Sequence, residues 1–475
     1  MSVLAHAKRI HFIGVGGIGM SGLAEVLLNL GYHVSGSDME RTDITDRLES
    51  LGARISKDHD ARNVSDAEVV VYSSAVRATN PEMVAAHERG LAIVARAELL
   101  AELMRLRQGI AVAGAHGKTT TTSMIALVLD VAGLDPTAVI GGRVSSFGSS
   151  AKLGRGKYLV AEADESDRSF LKLSPRFAVI TNIDREHLEA YRDFSDLKSA
   201  FVQFANAVPA NGAVIMCTDD PHLREIRPDV RRHVITYGFD DAADVTALHL
   251  QLKGFGSVCT VRARKPGGRA VELGQLQLAI PGRHNVLNAL AAVAVSRELG
   301  IGWSDISRAL GGFQGAERRF QRRGESAGVV VVEDYGHHPT EIAAVIAAAK
   351  PLAERRLIIA FQPHRFTRTQ FLLSEFGRAF AGADVLVLTD IYAAGEPPIP
   401  GITIEALANT VSAAAPGRVR VVKALAELPG AVAAIAREGD LIVTLGAGSI
   451  GGIGDRILEA VRARHTESAA EGKRS

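Results

Sequence analysis

The sequence predicts an α/β protein of three domains: a Rossmann-like N-terminal domain, a central P-loop ATPase-type α/β domain with a small antiparallel patch, and a C-terminal Rossmann-like domain. Three observations carry this. The chain has 475 residues, and at ~150 residues per domain that is about three cores. Short β-branched runs alternate with helical stretches, the pattern of parallel sheets covered by helices. Two glycine-rich turns each lie between such a run and a helical stretch, in what read as different domains.

The elements follow in order. Ile10–Ile13 reads as a buried strand, Met20–Leu30 as a helix ended by Gly31, and His33–Ser35 as the next strand; Val69–Tyr72 and Leu91–Val94 repeat the pattern, closing a domain at 1–107. A second domain, 108–314, starts with the strand Ile110–Ala113 and the helix Thr119–Val131. Strands follow at Tyr158–Val160, Ala178–Ile180 and Val214–Met216. From Val245 to Ile280 strict alternation sets Val245, Ala247, His249 and Gln251 against Leu248, Leu250 and Leu252, which predicts antiparallel pairing; a helix over Asn285–Leu299 follows. The third domain, 315–475, carries strands at Val329–Val332, Leu357–Ala360, Val385–Leu388 and Leu441–Thr444.

Composition narrows the function. Lys and Arg number 54 against 53 Asp and Glu, net +1, so there is no electrostatic reason to expect nucleic acid or a membrane surface as partner. Cys217 and Cys259 are too few for a disulfide framework or an all-cysteine metal cluster, and a reducing cytoplasm is the simplest home. Met1–Ile10 lacks the order of a signal peptide, and no apolar run approaches the ~20 residues of a membrane helix. The expectation is a cytoplasmic protein without membrane insertion, a monomer or weak homodimer.

Gly14-Val15-Gly16-Gly17-Ile18-Gly19 has G-x-G-x-x-G spacing between a strand and a helix. Glycines let the backbone approach a diphosphate whose charge meets the helix N-terminus. Asp38, about 20 residues on, stands where a carboxylate accepts from a ribose hydroxyl. The motif alone does not choose between NAD, FAD and a UDP-sugar. Gly114-Ala115-His116-Gly117-Lys118-Thr119-Thr120 is a second phosphate cradle, with Lys118 to neutralise β/γ oxygens and Thr119 to ligate Mg²⁺. It is shorter than the full Walker pattern, with Val112 where that pattern has glycine. Two phosphate turns in separate domains suggest transfer or ligation between two phosphorylated ligands.

Carboxylates and histidines gather after later strands: Glu162-Ala163-Asp164-Glu165-Ser166-Asp167, suited to Mg²⁺ on ATP phosphates, and Thr181 to His187. Pro281 to Asn288 opens a helix with polar amides, Asn285 as a cap and Asn288 one turn on. Glu333 to Glu341 ends a buried strand, and six polar groups there are costly to place by accident. Arg365 and Arg368, three apart at a helix start, present two guanidinium groups to anions from one face, and Arg318-Arg319 adds charge at the junction of the second and third domains.

With six such segments in order, Gly14–Gly22, Gly114–Thr122, Glu162–Phe170, Pro281–Ala289, Glu333–Glu341 and Phe361–Thr369, nearly the whole chain resembles the Mur ligase family, and within it the branch that adds L-alanine. The resemblance implies ATP-dependent amide formation in peptidoglycan precursor synthesis, with UDP-N-acetylmuramate and L-alanine as substrates and an acyl phosphate between them. It implies that Gly16, Gly17, Ile18, Gly19, Asp38 and Ser74 hold the UDP-sugar. ATP would be held by Gly114 to Thr120 with His284, Asn288, Arg319 and Asp334, and Mg²⁺ by Thr119, Glu162 and His187. Tyr335, His337, His364, Arg365 and Arg368 would meet the amino acid and the intermediate, with Lys118, His337, Arg365 and Arg368 as catalytic residues. Several relatives carry a carbamylated lysine in the helix after His187; Lys198 is out of register for it, so no carbamate is expected. A sister ligase attaching a recycled tripeptide to the same UDP-sugar shares these motifs. An NAD-dependent oxidoreductase and a non-enzymatic P-loop regulator are the readings that dispense with the resemblance, and each leaves some of these segments unexplained.

Overall fold

A computed structural model describes residues 4, 7–73, 75–144, 149–264, 268–414 and 418–471. Three sheets organise them. The first is parallel and joins β1 (Arg9–Ile13), β2 (His33–Asp38), β3 (Arg54–Lys57), β4 (Val69–Tyr72) and β5 (Ala92–Ala95) in the order 3-2-1-4-5. Ile10–Ile13 are buried without alternation, as expected of a central parallel strand covered on both faces. The order reverses between β1 and β4, so a crevice opens beyond their C-terminal ends, and the first glycine turn leaves β1 at that point.

The second sheet has ten strands: β6 (Gln108–Ala113), β7 (Thr137–Val144), β8 (Ser149–Lys152), β9 (Tyr158–Glu162), β10 (Phe177–Ile180), β11 (Ala213–Cys217), β12 (Val234–Gly238), β13 (Val245–Lys253), β14 (Gly256–Arg264) and β15 (Ala270–Leu278). Their order is 15-14-13-12-11-10-6-9-7-8. β6 lies between β10 and β9, parallel to both, which brings the segments after these three strands to one edge. β13 turns into β14 through Gly254-Phe255, with Gly254 at φ +51°; a two-residue link imposes the antiparallel pairing that alternation predicted. The alternation does not keep one face throughout. Val245 and Ala247 are buried but His249 and Gln251 are exposed, because His249 sits at φ +54° and slips the pleat by one residue.

The third sheet joins β16 (Gln321–Ser326), β17 (Val329–Asp334), β18 (Leu357–Phe361), β19 (Val385–Leu388), β20 (Val419–Val421) and β21 (Leu441–Leu445) in the order 16-17-21-18-19-20. Only β16, a polar edge strand, runs antiparallel to its neighbour among the pairings described. The two-residue period of β18 sends Ile359 and Phe361 into a core with Phe376 and Phe380, and Ile358 and Ala360 into another with Val331 and Ile457.

The chain divides into two compact units. One comprises Met1–His249, Cys259–Gln277 and Asn285–Ala316; the other Leu250–Val258, Leu278–His284 and Glu317–Ser475.

Candidate active site

In the first unit the turn after β1 is held by its own backbone. Gly14 and Val15 donate N–H to Ser37 O, and Gly16 N–H donates to Asp38 Oδ2 at 2.8 Å. Gly14 has φ +75°, and a Cβ on Gly16 would lie 2.8 Å from Asp38 Oδ2. Asp38 therefore braces the turn with one oxygen while lining a cleft of about 750 Å³ with Gly14, Gly16, Gly17 and His59. Gly19 faces elsewhere: the space a Cβ would take is filled by the Arg96 guanidinium, 2.9 Å away, and Arg96 pairs with Asp164 at 3.1 Å. Ile18 opens the helix Ile18–Asn29; Ser74 lies outside the described residues.

The second turn is tighter. Gly114 has φ +132° and sits against Thr181 and Asn182. His116 N–H donates to Asn182 Oδ1, and His116 Nε2 bonds Asp184 Oδ2 at 2.8 Å. Gly117 caps the helix Lys118–Val131 at φ +80°. Asn288 reaches this turn from the helix Arg283–Glu298: its Oδ1 accepts from Thr121 Oγ1 at 3.1 Å and lies 2.6 Å from a Cβ built on Gly117. Asn288 thus supports the loop from below.

Lys118 folds back over its own loop. Nζ donates to Gly114 O and to Glu165 Oε1, both at 2.6 Å. Burial favours the neutral amine, but the carboxylates of Glu165, Asp164 and Glu186 outweigh it and keep Lys118 charged. Thr119 is buried at the helix start, Glu162 ends β9 with Oε1 accepting from Gly141 N at 2.6 Å, and His187 follows β10 in a left-handed conformation, φ +58°. Burial lowers the His187 pKa, yet Glu189, Glu186 and Glu165 raise it overall. The sheet order places all three after adjacent parallel strands. Among the described residues Glu165 Oε2 is buried with no hydrogen-bond donor, and the hydroxyl, carboxylates and imidazole that follow these three strands are the donor types that suit a hard divalent cation.

In the second unit, Asp334 accepts from Phe320 N at 2.8 Å and Gly336 N at 2.6 Å. Burial pushes its pKa up to about 6 against the pull of Arg319 and these two N–H groups. Arg319 lies over the Tyr335 ring, 5.1 Å from its centroid, and 3.7 Å from Glu341. Burial and Arg319 together lower His284 to about 4. Tyr335, His337, His364 and Tyr392 form a chain of rings with centroids 5.5–5.8 Å apart. His337 Nδ1 lies 3.1 Å from Tyr335 O; a carbonyl only accepts, so Nδ1 carries the proton and Nε2 is the basic nitrogen of the neutral ring. Arg365 precedes the short helix Phe366–Phe371 at φ +71°, so helical spacing does not relate it to Arg368. Arg368 instead bonds His364 Nδ1 at 2.9 Å.

These shifts give a pH test. His284 is neutral when folded and titrates near 6.5 when unfolded, so its contribution is present above pH 6.5 and is lost as pH falls through about 4. Asp334 has the opposite sign, adding stability as pH falls from about 6 toward 3.8. In urea titrations from pH 7 to 4, wild type is expected to lose ground to His284→Asn by at most about 3 kcal/mol. Against Asp334→Asn it is expected to gain. A pH-independent gap for both variants contradicts the assigned shifts.

Family models match along the chain in order: the Mur ligase family catalytic domain over residues 9–108, the Mur ligase middle domain over 112–296, and the Mur ligase glutamate ligase domain over 318–448. The chain belongs to the Mur ligase family. A UDP-N-acetylmuramate–L-alanine ligase of Syntrophus aciditrophicus is 50% identical over 463 residues, covering 98% of this chain and 95% of that protein. One from Geobacter sulfurreducens is 51% identical over 453 residues, covering 95% and 97%. Among solved structures, the UDP-N-acetylmuramate–alanine ligase of Thermotoga maritima superposes with TM-score 0.80 at 30% identity, covering 96% of this chain and 99% of its own. A murein peptide ligase from Psychrobacter arcticus gives 0.70 at 26%, with the same coverage.

The sequence-predicted residues of this Mur ligase therefore fall into three clusters. Gly16, Gly17 and Asp38 share the first cleft; Gly114 to Thr120, Glu162 and His187 belong to the ends of the central strands, and Asn288 meets the second turn from its helix. His284, Arg319, Asp334, Tyr335, His337, His364, Arg365 and Arg368 lie in the second unit. Lys198 has its ammonium 2.6 Å from Glu225. Three participants were missed. Arg96 directly follows β5, a position that signals a strand-end residue; Glu165 was read only as one of an acidic run. Glu82 carries no sequence signal, since Asn80-Pro81-Glu82 reads as an ordinary helix start.

Proposed function

We infer that this Mur ligase joins L-alanine to the carboxylate of UDP-N-acetylmuramate at the expense of ATP, an amide-forming step of peptidoglycan precursor synthesis. Full-length relatives at 50% identity bear that activity as their name, and the larger structural likeness is to an alanine ligase rather than to a murein peptide ligase. The observation that carries the chemistry is the second loop. A lysine kept charged among carboxylates lies over a turn of backbone N–H groups at a helix N-terminus, the arrangement that receives a triphosphate.

The muramoyl carboxylate is anionic and resonance-stabilised, so an amine does not attack it. Transfer of the γ-phosphoryl group makes an acyl phosphate; the alanine amine adds to its carbonyl and phosphate leaves. Lys118 offsets the repulsion between carboxylate and triphosphate, a fixed electrostatic contribution. Mg²⁺, held by Thr119, Glu162 and His187, would supply further charge neutralisation on the phosphate oxygens. Gly16, Gly17 and Asp38 seat the UDP-sugar; Arg365 and Arg368 meet the oxygens of the intermediate, and Tyr335 and His364 the amino acid. His337 Nε2 receives the amine proton. The three domains span 1–107, 108–314 and 315–475, and His284, Asn288, Arg319 and Asp334 complete the ATP site. The enzyme works in the cytoplasm as a monomer or weak homodimer. Among the described residues no helix is long and apolar enough to cross a membrane.

Phosphate release from ATP, Mg²⁺ and UDP-N-acetylmuramate tests the reading. L-alanine is expected to drive turnover and a murein tripeptide is not; preference for the tripeptide would reverse the assignment.

A further inference from the structure

A carboxylate is buried beneath the first cleft. Glu82, the second residue of the helix Pro81–Glu88, is fully buried. Its Oε2 accepts from Ser37 Oγ at 2.6 Å and lies 3.1 Å from His59 Nδ1; its Oε1 accepts from Asn63 Nδ2 at 2.6 Å and lies 3.6 Å from His11 Nε2. Three segments converge on it: β1 through His11, β2 through Ser37, and the stretch after β3 through His59 and Asn63, all meeting the helix after β4 that carries Glu82. Burial works against the charge, but the nearby His11 ring and hydrogen bonds from Ser37 and Asn63 hold the Glu82 pKa below its ordinary value.

Stability alone does not call for such an arrangement, since well-packed apolar residues commonly replace a buried charge cluster without loss. What the cluster accomplishes is orientation. His59 is the member that reaches the cleft: it lines the cavity with Gly14, Gly16 and Asp38 and is one-fifth exposed. His59 Nδ1 lies between Ser37 Oγ at 3.0 Å and Glu82 Oε2 at 3.1 Å; Ser37 gives its own proton to Glu82 and a carboxylate accepts only, so Nδ1 carries the proton toward this pair and Nε2 is the nitrogen left to meet a ligand.

We propose that Glu82 is a positioning residue that fixes His59 by its Nδ1 so that the imidazole meets the nucleoside diphosphate part of the UDP-sugar across the cleft from the glycine turn. This rests on the reading of that cleft as the UDP-sugar site. The logic is that of a carboxylate orienting a histidine: the ring loses rotational freedom before the ligand arrives.

The full-length enzyme tests this by calorimetric titration with UDP-N-acetylmuramate and with UDP, alongside KM for each substrate. Wild type is expected to bind both; failure to bind either overturns the reading of the cleft and the proposal with it. With that established, His59→Ala and Glu82→Gln are each expected to weaken UDP binding and raise KM for the UDP-sugar about tenfold, leaving KM for ATP unmoved. The double variant is expected to be no weaker than His59→Ala, because Glu82 acts through the ring. Multiplying losses in the double variant, or a Glu82→Gln enzyme with lowered Tm and wild-type KM, would overturn it. Asn63→Ala, which loosens Glu82 without touching its charge, is the companion should Glu82→Gln not fold; it is expected to raise KM for the UDP-sugar alone, and wild-type KM values would count against the proposal.

Discussion

Lys118→Ala is expected to reduce phosphate release about a hundred- to a thousandfold, the scale seen when a preorganised donor is removed from a transition state. The same change is expected to lower stability. Lys118 is the cation nearest the buried carboxylate of Glu165, 2.6 Å away with Glu165 only 3% exposed, and breaking a buried pair from one side costs about 3–5 kcal/mol. Activity and stability separate in the double variant Lys118→Ala/Glu165→Gln, where no uncompensated carboxylate is left. It is expected to recover most of the lost Tm and none of the turnover. Recovery of turnover with stability would show that Lys118 serves the fold and not the phosphate. The geometry adds a further point. Nζ donates to the carbonyls of Gly114 and Ala115 as well, which are weaker partners than phosphate oxygens, so a bound triphosphate is expected to replace them without breaking the pair with Glu165.

Gly114→Ala is expected to destabilise the enzyme by about 2–5 kcal/mol and to abolish ATP binding. Two causes add. At φ +132° an L side chain is strained whatever the space, and a Cβ there would lie 2.1 Å from Thr181 Oγ1 and 3.0–3.1 Å from the Asn182 backbone. Adding Thr181→Ala is expected to restore only part of the loss, because the Asn182 backbone cannot withdraw. Gly133→Ala separates the causes: that residue also has positive φ, +72°, but nothing lies within 4 Å of its missing Cβ, so about 1–2 kcal/mol is expected. Equal losses at Gly114 and Gly133, read by urea denaturation, would show that close approach is not what the P-loop glycine provides.

Both glycine turns were legible because their message is local. Spacing of Gly14, Gly16 and Gly19, and the run Gly114 to Thr120, encode the strand–turn–helix seen at both places. Strand interiors such as Val329–Val332 and Leu357–Ala360 were legible for the same reason: a strand covered on both faces is apolar throughout. β16 was not, because Gln321–Ser326 is a polar edge whose pairing is set by β17 and not by its own residues. The face of β13 was misjudged after Ala247, since no pattern announces that His249 adopts positive φ.

The amino-acid order alone determined where the polar segments lie and which strand each follows, for those are properties of contiguous residues and their periodicity. Only the tertiary structure decided what each side chain does there. Gly19 makes room for Arg96, Asn288 props the loop at Gly117, Asp334 ties two backbone N–H groups, and Glu82 gathers polar partners from three segments. Such roles depend on distances between residues far apart in the chain, and on burial that turns an ordinary glutamate into a fixed charge, and neither is written in any local pattern.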